Sequence, residues 1–147
     1  MAEDTRAGVL DEHRRITNVL QRIEQWVVDP KTGAGWTGEL GGMLEELQGL
    51  LKEHFGGEAE AKLFEQTIAS APHLTAQLTK LAKEHSQILA AFRAAFEQAQ
   101  TLDAAKEQEV RGLQRKVQLA LATLRRHESE ENEIIMRAYW EDMGGGD

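Results

Sequence analysis

Lys52-Glu53-His54-Phe55-Gly56-Gly57-Glu58 is the stretch on which the reading of this chain turns. Taken as helix, it sets an imidazole and a carboxylate four residues apart, so both leave the same face about one turn from each other. That is a metal-ligand spacing, and its setting gives it a direction. Leu40, Met43, Leu44, Leu47, Leu50 and Leu51 form a helical apolar stripe just before it, and the same face runs on through His54 to Glu58. The pair is therefore expected to point inward. Gly56 and Gly57 are unusual there, since each costs roughly 1 kcal/mol relative to Ala inside a helix. They predict a local bend or a close approach of another group to the backbone, after which Ala61, Leu63, Phe64 and Ile68 resume the pattern.

Similar stripes lie on either side. Val9, Leu10, Ile16, Leu20, Ile23 and Val27 mark a first helix, ended by the loop from Asp29 to Gly35, with Thr37 as cap of the second. Ser70-Ala71-Pro72 reads as the start of a third helix carrying Leu74, Leu78, Leu81, Ile88, Leu89, Phe92 and Phe96. Thr101-Leu102-Asp103 is the break before a fourth, with Asp103 as cap and Val110, Leu113, Val117, Leu121, Leu124, Ile134, Ile135 and Ala138 inward. Four amphipathic helices with short connections predict an all-α fold, an up-down-up-down antiparallel four-helix bundle in one domain over residues 1–147.

Composition agrees and narrows the function. The chain has 147 residues, two prolines (Pro30 and Pro72), and no cysteine, which excludes disulfides, thiolate metal sites and cysteine nucleophiles together. A net charge of −8 with interspersed signs argues against nucleic acid or an anionic membrane as partner. The N-terminus lacks the basic start and apolar run of a secretory signal, and no segment approaches the ~18 apolar residues of a membrane span. A soluble cytoplasmic protein is the expectation.

Four of the five histidines, one per helix, fall on the inward stripes: His13, His54, His85 and His127. Glu58 and Glu131 follow two of them at i+4, whereas His73 is turned away from His85 and set roughly 18 Å from it along the helix. In an antiparallel arrangement His13 and His54 come level, as do Glu58 and His85. His127 is displaced by roughly 10 Å at 1.5 Å per residue, which predicts a later turn or a non-helical part of 103–112. Buried imidazoles and carboxylates are costly without compensation, and a cation compensates them. Four nitrogens and two carboxylates without sulfur suit iron, manganese or zinc, and carboxylates able to bridge favour a dinuclear site.

With Asp-Glu-His13-Arg-Arg-Ile, Glu-His54-Phe-Gly-Gly-Glu58, Lys-Glu-His85-Ser-Gln-Ile and Arg-His127-Glu-Ser-Glu-Glu131 in this order, the chain resembles the hemerythrin-like, or HHE cation-binding, family over nearly its whole length. The resemblance implies a bundle holding a non-haem di-iron centre with an open position for oxygen. Carried across by position, the ligands are His13, His54, Glu58, His85, His127 and Glu131, with Glu58 and Glu131 as bridges. One departure stands out: oxygen-carrying members have a further histidine one turn before the third-helix ligand, and here that position is Leu81. Glu53, Glu84 and Glu128 adjoin ligands but are expected to face away from them by about 100°.

The small-molecule partner implied is oxygen, nitric oxide or peroxide, with no protein partner identified. A protein that binds, stores or senses such a ligand leads. A di-iron peroxidase or catalase-like oxidoreductase is the enzymatic alternative, and iron storage or metal-dependent interaction with another protein is a third class.

Overall fold

Apolar residues at three- and four-residue spacing, few prolines and an abundance of Ala, Leu, Glu and Gln leave the chain little but helix. The computed structural model describes residues 2–145. Helix α1 spans Ala2–Val27, α2 Ala34–Phe55, α3 Glu58–Ser70, α4 Thr75–Thr101 and α5 Glu107–Gly145, with a short 3-10 turn at Pro72–Leu74. No strand occurs among the described residues, and none of their helices is long and apolar enough to cross a membrane. Helix α1 packs on α2, α3 and α5, while α4 packs on α2 and α5.

Five α-helices replace the expected four, because the second stripe is cut at the paired glycines. Gly57 has extended backbone (φ −76°, ψ 147°) and precedes a new helix. A Cβ there would lie 2.8 Å from the Glu53 carbonyl oxygen, closer than a side-chain carbon tolerates, and a tight 3.3 Å from that of His54. The close approach predicted at this motif is thus to the chain's own preceding turn.

The caps also differ from expectation. Thr37 is buried within α2, where its hydroxyl donates to the Ala34 carbonyl at 3.4 Å. Ser70 closes α3 by donating to the Gln66 carbonyl, leaving Pro72 to open the 3-10 turn. Asp103 accepts the Ala105 N–H at 3.1 Å in a tight turn, and α5 begins only at Glu107. Residues 103–106 are therefore non-helical, as the depth of His127 required. The α1–α2 and α4–α5 connections meet at one end, where Gly33, at φ +110°, donates its N–H to the Ala104 carbonyl at 2.7 Å.

Apolar packing is divided along the helices. On the side of those two connections, Ile16 to Val27, Trp36 to Leu51, Ile88 to Ala99 and Val110 to Leu124 supply the main core. On the other side lie Leu74, Leu78, Leu81, Ile134 and Ala138 in one cluster and Val9, Leu63 and Ile135 in another. In α1 and α5 the buried polar residues His13, His127, Glu128 and Glu131 fall in sequence between the two sets.

Candidate metal centre

His13 sits between buried Val9 and Ile16 on α1, His54 follows Leu51 at the end of α2, and His127 follows Leu124 on α5. Helical periodicity thus carries each imidazole into the interior: His54 and His127 are 1 % and 0 % exposed, His13 4 %. His85 on α4 is partly buried, held between Leu81 and Ile88 and stacked on Phe55 with ring centroids 3.9 Å apart and planes within 5°. His73 stays outside, pairing with Glu141 at the surface.

Three of the rings are oriented from behind. The Nδ1 of His13 lies 2.6 Å from Asn132 Oδ1, that of His54 2.9 Å from Glu12 Oε2, and that of His127 3.0 Å from Glu84 Oε1. Each outer partner is an acceptor, so each Nδ1 carries a proton and each Nε2 is turned inward, where it could ligate a metal. Arg126 in turn donates to Glu84 at 3.1 Å. Arg126 therefore supports the carboxylate behind His127.

Two carboxylates occupy the space between the inward nitrogens. Glu131 is fully buried, with Oε1 3.0 Å from His13 Nε2 and 3.5 Å from His54 Nε2, and Oε2 3.3 Å from His127 Nε2. Glu60, 3 % exposed, places Oε2 2.6 Å from His54 Nε2 and Oε1 3.4 Å from His85 Nε2. Each carboxylate thus offers one oxygen to the His13/His54 pair and the other to the His85/His127 pair. Two sets of donors within mutual reach of a single ion result: His13, His54, Glu60 and Glu131, and His85, His127 and Glu131.

The structure does not bring Glu58 into this group. Its side chain is 85 % exposed and lies 3.6 Å from Lys62. The i+4 rule that joined it to His54 holds only along an unbroken helix, and the break at Gly56-Gly57 rotates the following residues. Glu60 takes the inward place. Its signal was present in the sequence, since Glu60, Leu63 and Thr67 form the buried i, i+3, i+7 stripe of α3 once that helix is started afresh at Gly57.

Glu128 is a second correction. A 100° offset from His127 was expected to turn it away, yet it is 6 % exposed, and its Oε2 lies 3.1 Å from His13 Nε2. The buried face of α5 is wide enough to hold both residues, running through Leu121, Leu124, His127, Glu128, Glu131 and Ile135. Glu84 faces the back of His127, and Glu53 is exposed, outside the cluster.

Charge is concentrated here without a cation. Burial alone would lower the His54 imidazole, but the Glu131 and Glu60 carboxylates raise it to about 11. Burial likewise opposes protonation of His13 and His127, and Glu131 with its neighbouring carboxylates lifts both above the ordinary histidine value. His85, buried beside His127, is pushed down to about 4. Glu60 is raised to about 7 by burial next to Glu131, whereas Glu131, despite its own burial, is held well below the usual range by three imidazoles.

Several of these atoms lack any hydrogen-bond partner: His85 Nε2, His127 Nε2, Glu60 Oε2 and Glu131 Oε2. Glu60 Oε2 is close to His54 in distance but without the angle of a hydrogen bond. Buried polar atoms in that state are costly. A pair of cations would satisfy them, and all are nitrogen or oxygen donors of the kind that borderline and hard divalent ions prefer. The donor set therefore fits a metal.

No curated protein and no solved structure gives a match to this chain. The model of one protein family, described as the hemerythrin HHE cation binding domain, matches residues 5–139. With that match extending over most of its length, the chain belongs to the hemerythrin HHE cation-binding domain family.

Proposed function

We propose that this protein binds non-haem iron as a di-iron centre and uses it to bind oxygen, nitric oxide or peroxide. The observation that carries the reading is the division of each of two buried carboxylates, Glu60 and Glu131, between two histidine pairs. In this reading α2 and α3 together serve as the second member of an up-down-up-down four-helix bundle, broken where its carboxylate ligand must be re-aimed. His13 and His54 would hold one ion, His85 and His127 the other, and Glu60 and Glu131 would bridge them. Such a centre supplies reversible electron transfer and an open coordination position for a small ligand.

The rest is the work of the protein. Asn132, Glu12 and Glu84 hold three imidazoles with Nε2 inward. Phe55 stacks on the fourth. The apolar clusters on both sides keep bulk water away from the donors. The test is the metal content and absorption of protein purified with iron. About two irons per chain, with near-ultraviolet and visible bands that change with oxygen, nitric oxide or peroxide, are expected. Metal-free protein, or manganese or zinc in place of iron, overturns the iron assignment.

A peroxide-removing enzyme is favoured as second reading by one residue. Leu81, one turn before His85, is 1 % exposed among Leu74, Leu78 and Ile134 and offers no donor. The His85/His127 position is then left with room for peroxide. Oxygen evolution from peroxide, abolished by Glu60→Gln, supports this reading; ligand binding without turnover rejects it.

A further inference from the structure

We infer that Glu128 is a seventh ligand, belonging to the His13/His54 position alone, and that it makes the two cation positions unequal. The inference rests on the metal-binding reading above and adds a residue that this reading does not use. Glu128 is 6 % exposed, and neither of its carboxylate oxygens has a hydrogen-bond partner among the described residues. Its Oε2 lies 3.1 Å from the Nε2 of His13, the nitrogen that faces the cluster. His13 is already oriented from behind by Asn132 at 2.6 Å, so Glu128 is not needed to aim that ring. A carboxylate withdrawn from water and left without a donor is strongly disfavoured unless an ion completes it.

The consequence is a difference in donor number. The His13/His54 position has two nitrogens and one oxygen from each shared carboxylate within mutual reach, and Glu128, beside His13 Nε2, would add a further oxygen. The His85/His127 position has two nitrogens and the shared oxygens only, since buried Leu81 supplies no donor there. Extra negative charge and an extra oxygen ligand make the first position the tighter one, and the second is where a small ligand enters.

The test uses the full chain, stripped of metal and titrated anaerobically with Mn(II) and, separately, Co(II), in competition with a chelator. The wild type is expected to take up two ions in two steps of unequal affinity. Glu128→Gln should weaken the tighter step at least 10-fold and leave the other within about threefold, and the visible bands of its Co(II) form should intensify as one donor is lost. The metal-free variant should melt at or above the wild-type temperature, because an unpartnered carboxylate has been removed. Glu128→Asp, which keeps the charge but withdraws it, should show the same loss of affinity and provides the comparison should Glu128→Gln fail to fold. Unchanged affinity in these variants, or a lower metal-free melting temperature with both steps intact, overturns the assignment and reduces Glu128 to an ion-pair partner of His13. If the wild type itself takes up no ion, the metal-binding reading falls as well, an outcome separable from the first.

Discussion

Glu58 and Glu60 lie two residues apart and exchange roles between a continuous helix and the observed broken one, so neutralising each in turn tests the geometry of the whole site. Glu58→Gln neutralises an 85 % exposed side chain that pairs with Lys62 at 3.6 Å. An exposed pair of this kind contributes about 0–1 kcal/mol, so melting temperature and metal affinity should stay close to wild type. Glu60→Gln removes a carboxylate 2.6 Å from His54 and 3.4 Å from His85. Loss of even an outer partner of a metal ligand commonly costs about 10–100-fold in affinity, about 1.4–2.8 kcal/mol at 1.4 kcal/mol per decade. A bridge that serves both ions should cost at least that. Metal-to-protein ratio after dialysis against a graded chelator series, read by elemental analysis, separates the two variants directly. Full metal content in Glu60→Gln together with metal loss in Glu58→Gln would refute the reasoning. It would mean that α2 runs unbroken through Gly56-Gly57 in the loaded protein.

Gly57→Ala should lower the melting temperature, since its Cβ would meet the Glu53 carbonyl at 2.8 Å and overpacking of this kind costs about 1–3 kcal/mol; a thermal scan with no shift would count against the break. Glu84→Gln leaves every cluster-facing atom in place but weakens the hold on His127 Nδ1. Metal affinity should then fall about 10–100-fold, as measured by chelator competition. In metal-free protein His54 is raised to about 11. Its contribution to stability is fully present below the unfolded value near 6.5 and declines as pH rises through about 11. Urea unfolding across that window should show falling stability, and metal uptake at pH 7 should release protons, detectable as a buffer-dependent heat of binding.

Much of the site was legible in sequence because helical periodicity is local. His13, His54, His85, His127 and Glu131 share the spacing of the apolar stripes, and four of them are buried as that spacing requires, with His85 partly so. Glu128 fell outside the sequence reading because a wheel drawn from one residue underestimates a buried face that extends across more than 100°. Glu60 was missed for another reason. Paired glycines announce an irregularity, but whether the chain bends or restarts is decided by the fit of the residues beyond them.

Sequence alone therefore determined the all-helical class, the inward histidines and the chemistry of their donors, since side-chain direction within a helix follows from residue number. Only the tertiary structure decided which carboxylates meet those histidines. The rotation of α3 after Gly57 is set by packing against α1 and α5, and the width of the α5 face by packing against α1, α3 and α4, rather than by any local rule. That packing places Glu60 and Glu128 inside and Glu58 in water.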